Sequence, residues 1–341
     1  MNSIEIKNEI LKEKYNFLYE NEFLGKNIIL LGLGGSHAYG TNNENSDIDI
    51  RGIAVNSPKY LFTGRDFEQV VETETDTTVY SLDKMITLLA SCNPNTVEIL
   101  GLRPEHYLKL TPEGQLLLDN KELFLSRRAT FTFGGYANSQ LRRLENKAAR
   151  ELSQAGQERN ILKSIEHAQV DFHNKYLYSP DDSLRLYVDK AINEDMDTEI
   201  FMDANFKHYP LRDYRSMWNE MHAIVKGYAR FGSRNTKAIE HNKLGKHMMH
   251  LVRLYYMCFD ILERHEIKTY REEEHDFLMD IRNGKYLDEN KQPIPEFYEI
   301  VDGLEKRLDY ANKYTDLPEK VDYDKIYDLQ YEINRSVYKG E

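Results

Sequence analysis

The segment between Ile28 and Val55 restricts the fold of this chain more than any other part of the sequence. It starts with an uninterrupted apolar run, Ile28–Leu33, of the kind that a strand buried on both faces shows. Gly34 and Gly35 end the run, and a polar stretch follows. Apolar and polar residues then alternate over Asp47–Val55, which predicts a second strand. The segment therefore predicts two sheet strands joined through a glycine turn.

Periodicity elsewhere predicts a small mixed α/β unit followed by a mostly helical unit. Apolar spacing and β-branched content predict the following elements of the first unit: a helix over Ile4–Tyr19, one or two strands over Phe67–Val71 and Thr77–Tyr80, and a helix over Leu82–Leu89. Asn93 or Asn95 is a predicted N-cap for the next helix.

From about Lys121 onward the spacing becomes that of long helices, interrupted by a hairpin. The predicted helices are Tyr136–Leu152, Ile161–Tyr176, Tyr214–Tyr228 and Leu244–Arg264, and the hairpin strands are Leu184–Val188 and Glu199–Met202. We therefore expect an α+β fold in two domains, a small mixed-sheet domain over 1–120 and a mostly helical domain over 121–341. The boundary falls near residues 110–126.

Composition limits the classes of function. A length of 341 residues suggests two domains, and a net charge of -12 argues against non-specific coating of nucleic acid, which relies on Lys and Arg. A local basic groove remains compatible with that charge. Cys92 and Cys258 are far apart in the sequence, so neither a disulfide framework nor a thiolate zinc site is expected. With a charged N-terminal segment and no long apolar run, the sequence favours a cytoplasmic protein without a membrane partner.

The chemistry of the first segment depends on Asp47 and Asp49. Alternate residues of a strand point to the same side, so the two carboxylates would repel each other unless a cation lies between them. Mg²⁺ and Mn²⁺ prefer such oxygen ligands. The preceding glycine turn exposes backbone N–H groups that suit an anion, and Ser36 adds a hydroxyl. A triphosphate and a metal would then meet at one place, as two-metal phosphoryl transfer requires.

Gly35-Ser36, ten intervening residues and Asp47-Ile48-Asp49-Ile50 resemble the signature of the DNA polymerase β nucleotidyltransferase superfamily. The whole segment is closer still to its RNA-repair-pathway DNA polymerase β branch. The further segments that resemble this branch are Asp76–Leu82, Asn93–Asn95 with Glu98–Leu100, Lys246–Leu254 and Asp280–Gly284. The resemblance covers roughly residues 26–100 and 240–285, and residues of about 150–240 have no counterpart in it.

This resemblance implies that residues 1–120 form a catalytic domain and that the helical domain over 121–341 binds nucleotide or acceptor. It also implies roles for individual residues. Gly35 and Ser36 would bind the nucleoside triphosphate, and Asp47 and Asp49 would bind two catalytic metal ions, Mg²⁺ or Mn²⁺. A third carboxylate completes such sites. Glu72, Glu74 and Asp76 share one strand face, so periodicity does not choose between them, but the family block favours Asp76 over Glu74 as catalytic residue and metal ligand.

Arg51 shares the strand face of the two aspartates. It could balance their charge or touch a phosphate, and a salt bridge to Asp66 or Glu68 is an equally good interpretation.

Lys246, His250 and Arg253 follow the i, i+4, i+7 spacing of one helix face. Such a stripe is often only the solvated side of a helix, but the family resemblance favours nucleotide binding by these three residues. Lys243 and Arg282 are candidates for the same surface. His247 and His250 lack a partner carboxylate at the spacing of a known zinc motif.

A basic segment interleaved with aromatic residues offers another binding surface. It contains Arg127-Arg128, Phe131, Phe133 and Tyr136, and then Arg142-Arg143, Lys147 and Arg150. Such a segment could bind single-stranded nucleic acid through its charge and through base stacking. Solvation of a helix face explains the arginines equally well.

The sequence therefore predicts a metal-dependent nucleotidyltransferase that transfers NMP from an NTP to an acceptor hydroxyl and releases pyrophosphate. The family resemblance implies an RNA 3′ end as acceptor, possibly one like that of tRNA. One alternative keeps the chemistry with a protein or small-molecule hydroxyl, and another is a non-catalytic nucleotide- or RNA-binding module. A dinucleotide-binding turn fails on spacing, because GxGxxG would need glycine where His37 or Ala38 stands.

Overall fold

The structure is a computed structural model. It describes residues 3–44, 46–64, 67–134, 137, 184–190, 192, 198–211, 214–215, 217–219, 222, 243–289 and 292–339. The chain divides into two compact units. The first combines Met1–Leu141, Gly245–Asp288 and Pro293–Glu341, and the second combines Arg142–Leu244 and Glu289–Gln292. The division into a catalytic domain over 1–120 and a helical domain over 121–341 stays a prediction.

A five-stranded mixed sheet forms the centre of the first unit. Its strands are β1 (Ile28–Gly34), β2 (Asp49–Ala54), β3 (Gln69–Glu72), β4 (Thr77–Ser81) and β5 (Tyr107–Leu110), and they lie in the order β3-β4-β2-β1-β5. Strands β2 and β4 are parallel, and the other neighbours are antiparallel. The sequence predicted the first four strands, although β2 begins two residues later than expected. It did not predict β5.

Strand β1 lies inside the sheet, and all seven of its residues are buried. Its apolar side chains and those of β2 and β4 pack against residues that precede β1. The cluster contains Ile10, Tyr15, Leu18, Leu24, Ile28, Leu31, Ile50, Ala54, Phe67 and Val79. Burial of apolar area on this scale stabilises the sheet, at roughly 25 cal/mol per Å². The continuous apolar run in the sequence therefore marked the strand correctly.

The described helices surround this sheet. They are α1 (Ser3–Glu9), α2 (Phe17–Glu20), α3 (Gly35–Tyr39), α4 (Pro58–Thr63), α5 (Leu82–Ala90), α6 (Pro94–Val97), α7 (Pro112–Asp119), α8 (Lys243–Phe259), α9 (His275–Arg282), α10 (Pro295–Tyr314) and α11 (Tyr323–Lys339). Helix α8 continues as a π-helical turn over Asp260–Arg264, and residues 128–134 are also helical. Short 3₁₀ turns occupy Glu13–Tyr15, Gly25–Asn27, Glu98–Gly101, Pro104–His106 and Lys121–Phe124.

The prediction of one helix over Ile4–Tyr19 was wrong. The segment breaks at Lys12, whose backbone is extended, and continues as a 3₁₀ turn followed by α2. The break still brings Ile10, Tyr15 and Leu18 into the core. The apolar spacing therefore reported burial correctly, but three short elements satisfy it as well as one helix does.

Side-chain caps start three of the helices. Ser81, Asn93 and Thr111 accept hydrogen bonds from backbone N–H groups of the first turns of α5, α6 and α7. Proline occupies the first turn of α6 and α7, where its missing N–H costs nothing. The expected cap at Asn93 is confirmed, and it fixes the start of the turn that carries Glu98.

The C-terminal helices belong to the same compact unit as the sheet. Gln330 on α11 donates a hydrogen bond to Asp83 on α5, and Ser336 on α11 donates one to Glu113 on α7 (3.1 Å). The unit is thus built from both ends of the described chain.

The second unit contains the predicted hairpin. Strands β6 (Leu184–Lys190) and β7 (Thr198–Ala204) pair antiparallel, with Leu184 opposite Ala204 and Lys190 opposite Thr198. The predicted helices over Tyr136–Leu152, Ile161–Tyr176 and Tyr214–Tyr228 lie wholly or mostly outside the described residues. The α+β fold class, with a mixed sheet followed by a mostly helical region, is confirmed. Within the described parts of the chain, no helix combines the length and the apolar character needed to cross a membrane.

Candidate active site

The pairing of β1 with β2 brings the glycine turn against Asp49. Gly34 lies opposite Asp49 in the antiparallel register, and α3 begins at the next residue. Gly35 has φ of +56°, in the left-handed region that favours glycine, and a Cβ at this position would overlap the Asp49 carboxylate. Only glycine lets the backbone approach this carboxylate so closely. Ser36, the next residue, is buried in the same turn.

The parallel pairing of β2 with β4 brings Asp76 beside Asp49. Ile50 lies opposite Thr77, and the Ile50 N–H donates to the Asp76 carbonyl oxygen at 3.2 Å. Asp76 has φ of +44°, a backbone conformation that aspartate tolerates better than most residues. The carboxyl groups of Asp49 and Asp76 share a hydrogen bond. Two acidic side chains that are 27 residues apart in the sequence thus form one pair.

The two carboxyls share one proton unequally. Burial, together with the hydrogen bond and the negative charge of Asp76, raises the pKa of Asp49 to about 7. The hydrogen bond to Asp49 and the nearby Arg51 lower the pKa of Asp76. The half-buried Asp49 is therefore mostly protonated only below about pH 7, whereas the more exposed Asp76 is ionised.

Arg51 holds the backbone and side chain of Asp76. Its Nη1 donates to the Asp76 carbonyl oxygen at 2.8 Å, and its Nη2 lies 3.4 Å from Asp76 Oδ1. The expected alternative, a salt bridge to Glu68, does not form, because Glu68 pairs with Lys84 at 3.0 Å. Asp66 lies outside the described residues. Arg51 is thus a neighbour of the acidic pair.

Asp47 and Glu74 are not part of this pair. Asp47 is exposed and precedes β2, while Glu74 is exposed and its backbone N–H bonds to Glu72 Oε1 at 3.2 Å. Among the described residues, no group of three His, Cys, Asp or Glu side chains is close enough together to hold a metal ion. The structure brings Asp49 and Asp76 together, and the metal roles of Asp47, Asp49 and Asp76 stay predictions.

The chemistry of the donor pair fits a divalent cation. Carboxylate oxygens are the ligands that Mg²⁺ and Mn²⁺ prefer, and Asp49 and Asp76 bring two carboxyl groups together at one place. Asp47 lies two residues before Asp49 and is accessible as a further oxygen donor. The residues present therefore fit such an ion, which Asp49 and Asp76 would hold.

Helix α8 presents Lys246 to the acidic pair. Lys246 is exposed, and its positive charge lowers the pKa of both Asp49 and Asp76. One turn further along, the His250 ring meets the Tyr39 ring edge-on at 5.9 Å between centroids. Burial and the charges of Arg253, Lys246, His247 and Arg282 lower the pKa of His250, so its ring is neutral at pH 7. The side chain of Lys243 lies outside the described part.

Arg253 is buried beneath this surface. Its guanidinium carbon lies 3.5 Å from the centroid of the Tyr39 ring, and its Nη1 lies 3.6 Å from Glu98 Oε2. Tyr39 donates a hydrogen bond to the same Glu98 oxygen at 2.8 Å. We call Tyr39, Glu98 and Arg253 the buried triad. Because Arg253 is only 4% exposed, it supports the glycine-turn helix α3, and nucleotide contact by this residue stays a prediction.

Helix α9 contacts the polar stretch that separates the glycine turn from β2. Arg282 donates to the Thr41 carbonyl oxygen, and its Nη2 lies 3.5 Å from Ser46 Oγ. The Arg271 N–H donates to the Tyr39 carbonyl oxygen at 3.1 Å, and the Arg271 guanidinium pairs with the buried Asp260. Residues of α8, of α9 and of the segment between them therefore contact α3 and the polar stretch of the candidate site and stabilise their positions.

Sequence reasoning missed the buried triad as a unit. Glu98 stands between Val97 and Ile99-Leu100, and a carboxylate inside such an apolar run signals burial next to a cation. Burial raises the pKa of Glu98, and the Arg253 charge opposes this increase. The partner of Glu98 lies 155 residues away, so sequence spacing could not identify it.

The mixed sheet thus brings the glycine turn against Asp49 and puts Asp76 beside Asp49. A family model described as the RNA repair pathway DNA polymerase beta family matches residues 5–179, slightly more than half of the 341 residues. The chain belongs to this family, whose name indicates polymerase β-like nucleotidyltransferases of RNA repair. The match includes residues 150–179, for which the sequence resemblance had found no counterpart, whereas the blocks at Lys246–Leu254 and Asp280–Gly284 lie beyond the matched residues. No curated protein and no solved structure matches the chain.

Proposed function

We propose that this chain is a Mg²⁺- or Mn²⁺-dependent nucleotidyltransferase that transfers NMP from an NTP to the 3′ hydroxyl of an RNA. The observation that carries the proposal is the hydrogen-bonded pair of Asp49 and Asp76, held against Gly35 and facing Lys246. Membership of an RNA-repair polymerase β family supports both the reaction type and the acceptor. The buried free thiols Cys92 and Cys258 support a cytoplasmic setting.

In this reaction the acceptor oxygen bonds to the α-phosphorus of the NTP. The bond between that phosphorus and the oxygen that bridges the α- and β-phosphates breaks. The acceptor hydroxyl loses its proton, and pyrophosphate leaves with the bond electrons. A divalent ion held by Asp49 and Asp76, with Asp47 as a further ligand, would supply positive charge for the phosphate oxygens.

The chain's own residues have separate tasks in this proposal. Asp76 is exposed and ionised, so its carboxylate orients the attacking hydroxyl and accepts its proton. Arg51 keeps that carboxylate in place through its bonds to Asp76. Lys246 contributes an ammonium group for a phosphate of the NTP, and the Gly35-Ser36 turn contributes backbone N–H groups. His250 is neutral, so one of its ring nitrogens can donate a hydrogen bond to the nucleotide.

A transfer assay tests the proposal. The full chain is incubated with α-³²P-labelled NTPs, Mg²⁺ or Mn²⁺, and a single-stranded RNA ending in a 3′ hydroxyl. The same RNA ending in a 3′ phosphate is the matched acceptor control. We expect label on the first RNA only, no label after chelation of the metal, and no label with Asp49→Asn.

Three other outcomes would redirect or end the proposal. Label on the protein itself, or on a small molecule, would show that the acceptor is not RNA, while the proposed nucleotidyl transfer would still hold. Transfer that survives in Asp47→Asn/Asp49→Asn would end the metal assignment. Binding of NTP and RNA without transfer under any of these conditions would favour a non-catalytic binding module.

A further inference from the structure

The first compact unit contains a second concave surface, apart from the residues of the candidate active site. It is a cavity of about 560 Å³ between the helical residues 128–134 and the end of α10 with the loop that follows it. Its lining includes Arg127, Arg128, Phe131, Asn312, Glu319 and Lys320. We call this surface the Arg128 groove. Its volume lies within the range of about 300–1,000 Å³ that is usual for ligand sites.

The Arg128 groove carries positive charge in a chain whose net charge is -12. Arg127, Arg128 and Lys320 oppose one carboxylate, that of Glu319. Arg127 donates to the Asn312 carbonyl oxygen at 2.6 Å, so its charge is not neutralised by that partner. Within the described residues, none of the three cations forms an ion pair. The groove therefore attracts anions, since no carboxylate of the described residues forms an ion pair with these cations.

Phe131 provides an apolar face at the edge of the groove. Its side chain is 75% exposed, and it follows Arg127 and Arg128 by one helical turn, so the three side chains lie on the same side. An exposed phenylalanine beside unpaired guanidinium and ammonium groups matches the two needs of single-stranded nucleic acid. Phosphates need cations, and unpaired bases need an aromatic face.

The groove is rigidly attached to the rest of the unit. Thr130 donates to Asn312 Oδ1 at 3.1 Å, and Thr132 donates to the Cys92 carbonyl oxygen at 2.7 Å. The Arg127 N–H donates to the Pro318 carbonyl oxygen at 2.8 Å. Phe131 and Arg128 are therefore presented by a fixed segment, which lowers the entropy cost of binding a ligand.

We propose that the Arg128 groove binds the acceptor strand as a single-stranded nucleic acid. Arg128 and Lys320 pair with backbone phosphates, and a base stacks on Phe131. This inference rests on the proposed function for its choice of RNA over DNA, because both strands offer phosphates and bases. Arg and Phe are also enriched at protein interfaces, so the observation that favours a nucleic acid is the excess of three cations over one carboxylate.

The test measures equilibrium binding of a fluorescently labelled, single-stranded oligonucleotide to the full chain without NTP. We expect Phe131→Ala to weaken binding about five- to 150-fold, the range that loss of one stacked base produces. We expect Arg128→Ala/Lys320→Ala to reduce the slope of log Kd against log salt by about 1.4, since each phosphate contact to a single strand contributes about 0.7. RNA and DNA oligonucleotides of one sequence form the two arms.

Matched controls remove equivalent groups elsewhere. Phe62, on α4, is 83% exposed, so Phe62→Ala removes an exposed aromatic ring. Lys306→Ala/Arg335→Ala removes two exposed cations that pair with Asp302 and Glu332. Both controls should bind within about twofold of the wild type. If the groove variants bind the oligonucleotide as tightly as these controls do, the proposal is overturned. Equal affinity of the wild type for the single strand and for a blunt duplex would also overturn it.

The active-site variant Asp49→Asn separates this inference from the proposed function. It should lose transfer and keep oligonucleotide binding. If the wild-type chain binds the oligonucleotide through the groove but transfers no nucleotide, the proposed function is wrong and the groove proposal still holds. If Phe131→Ala and Arg128→Ala/Lys320→Ala both transfer nucleotide to RNA as well as the wild type does, the groove proposal is wrong and the proposed function still holds.

Discussion

The phenol of Tyr39 donates a 2.8 Å hydrogen bond to Glu98, and this bond joins the helix of the glycine turn to the turn that follows α6. Arg253 lies over the same ring and 3.6 Å from the same carboxylate. All three side chains are buried. Because a buried charge is tolerated only when it is paired, the orientation of the glycine turn depends on residues 155 positions apart.

Removing the cation from the buried triad should destabilise the protein strongly. Arg253→Met leaves the Glu98 carboxylate buried without its counter-charge, and we expect a loss of about 3–5 kcal/mol in the free energy of unfolding. Tyr39→Phe removes one hydrogen bond to a charged group and should cost about 1–3 kcal/mol. Urea unfolding followed by circular dichroism measures both changes.

A second substitution tests the cause. Arg253→Met/Glu98→Gln removes both charges, so it should be more stable than the sum of the two single variants predicts. Arg335→Met is the surface control, because Arg335 pairs with Glu332 while remaining exposed, and it should cost less than about 1 kcal/mol. Additive effects of Arg253→Met and Glu98→Gln would contradict the pairing.

Gly35 and Gly64 form a matched pair for the role of the glycine turn. Both have positive φ, but a Cβ at Gly64 meets no atom within 4 Å, whereas a Cβ at Gly35 would overlap the Asp49 carboxylate. Gly64→Ala should therefore lower the free energy of unfolding by roughly 1–2 kcal/mol, the strain of a left-handed backbone at alanine, and leave transfer activity unchanged. Gly35→Ala should also displace Asp49 and reduce kcat about a hundredfold. Equal activity of the two variants would disprove the proposed contact.

Asp76 and Glu74 can be separated by activity. Asp76 shares a hydrogen bond with Asp49, whereas the backbone N–H of Glu74 donates to Glu72 Oε1 within its own turn. We expect Asp76→Asn to reduce kcat at least about a hundredfold, because it removes the proposed proton acceptor. Glu74→Gln should stay within about twofold of the wild type. The reverse order, measured in the transfer assay, would move the third carboxylate to Glu74.

His250 should make the protein less stable in acid. Burial and the neighbouring cations lower its pKa in the folded state, whereas in the unfolded state the pKa is about 6.5. Below pH 6.5 the unfolded state binds the proton more readily, so the free energy of unfolding falls as the pH falls. This one group should account for about 1 kcal/mol between pH 7.5 and pH 5.5.

His250→Gln should reduce this pH dependence by that amount. Burial also lowers the pKa of His37 and His106, and both remain in the variant, so the difference from wild type isolates His250. Urea midpoints at the two pH values provide the measurement. Parallel pH profiles for the wild type and His250→Gln would show that His250 is not the responsible group.

The strands of the sheet could be predicted because each is a local pattern. Ile28–Leu33 is continuously apolar, and the residues after Asp49 alternate, so both patterns are visible within ten residues. Strand β5 was missed because Tyr107–Leu110 is short and has a lysine between its apolar residues, and it pairs only at the edge of the sheet. The single helix over Ile4–Tyr19 was wrong because periodicity reports which residues are buried and not whether the backbone is continuous.

The candidate site could be predicted only in part, for a related reason. Gly35 and Asp49 are near in sequence, and their roles followed from a motif. The choice of Asp76 came from a family block, and the parallel register of β2 and β4 puts it beside Asp49. The pairing of Arg253 with Glu98 depends on how α8 packs, which no local pattern encodes. Long-range partners therefore required the structure.

The contacts of α11 with α5 and α7 have a consequence for how the protein is made. Gln330 and Ser336 reach back to Asp83 and Glu113, across more than two hundred residues that the ribosome must add first. Helices α5 and α7 emerge early, but α11, which packs on them, emerges late, so the surface that α11 covers stays exposed during much of synthesis. A chain of such high contact order should fold slowly, and chaperones that bind apolar surfaces should retain it until α11 is released.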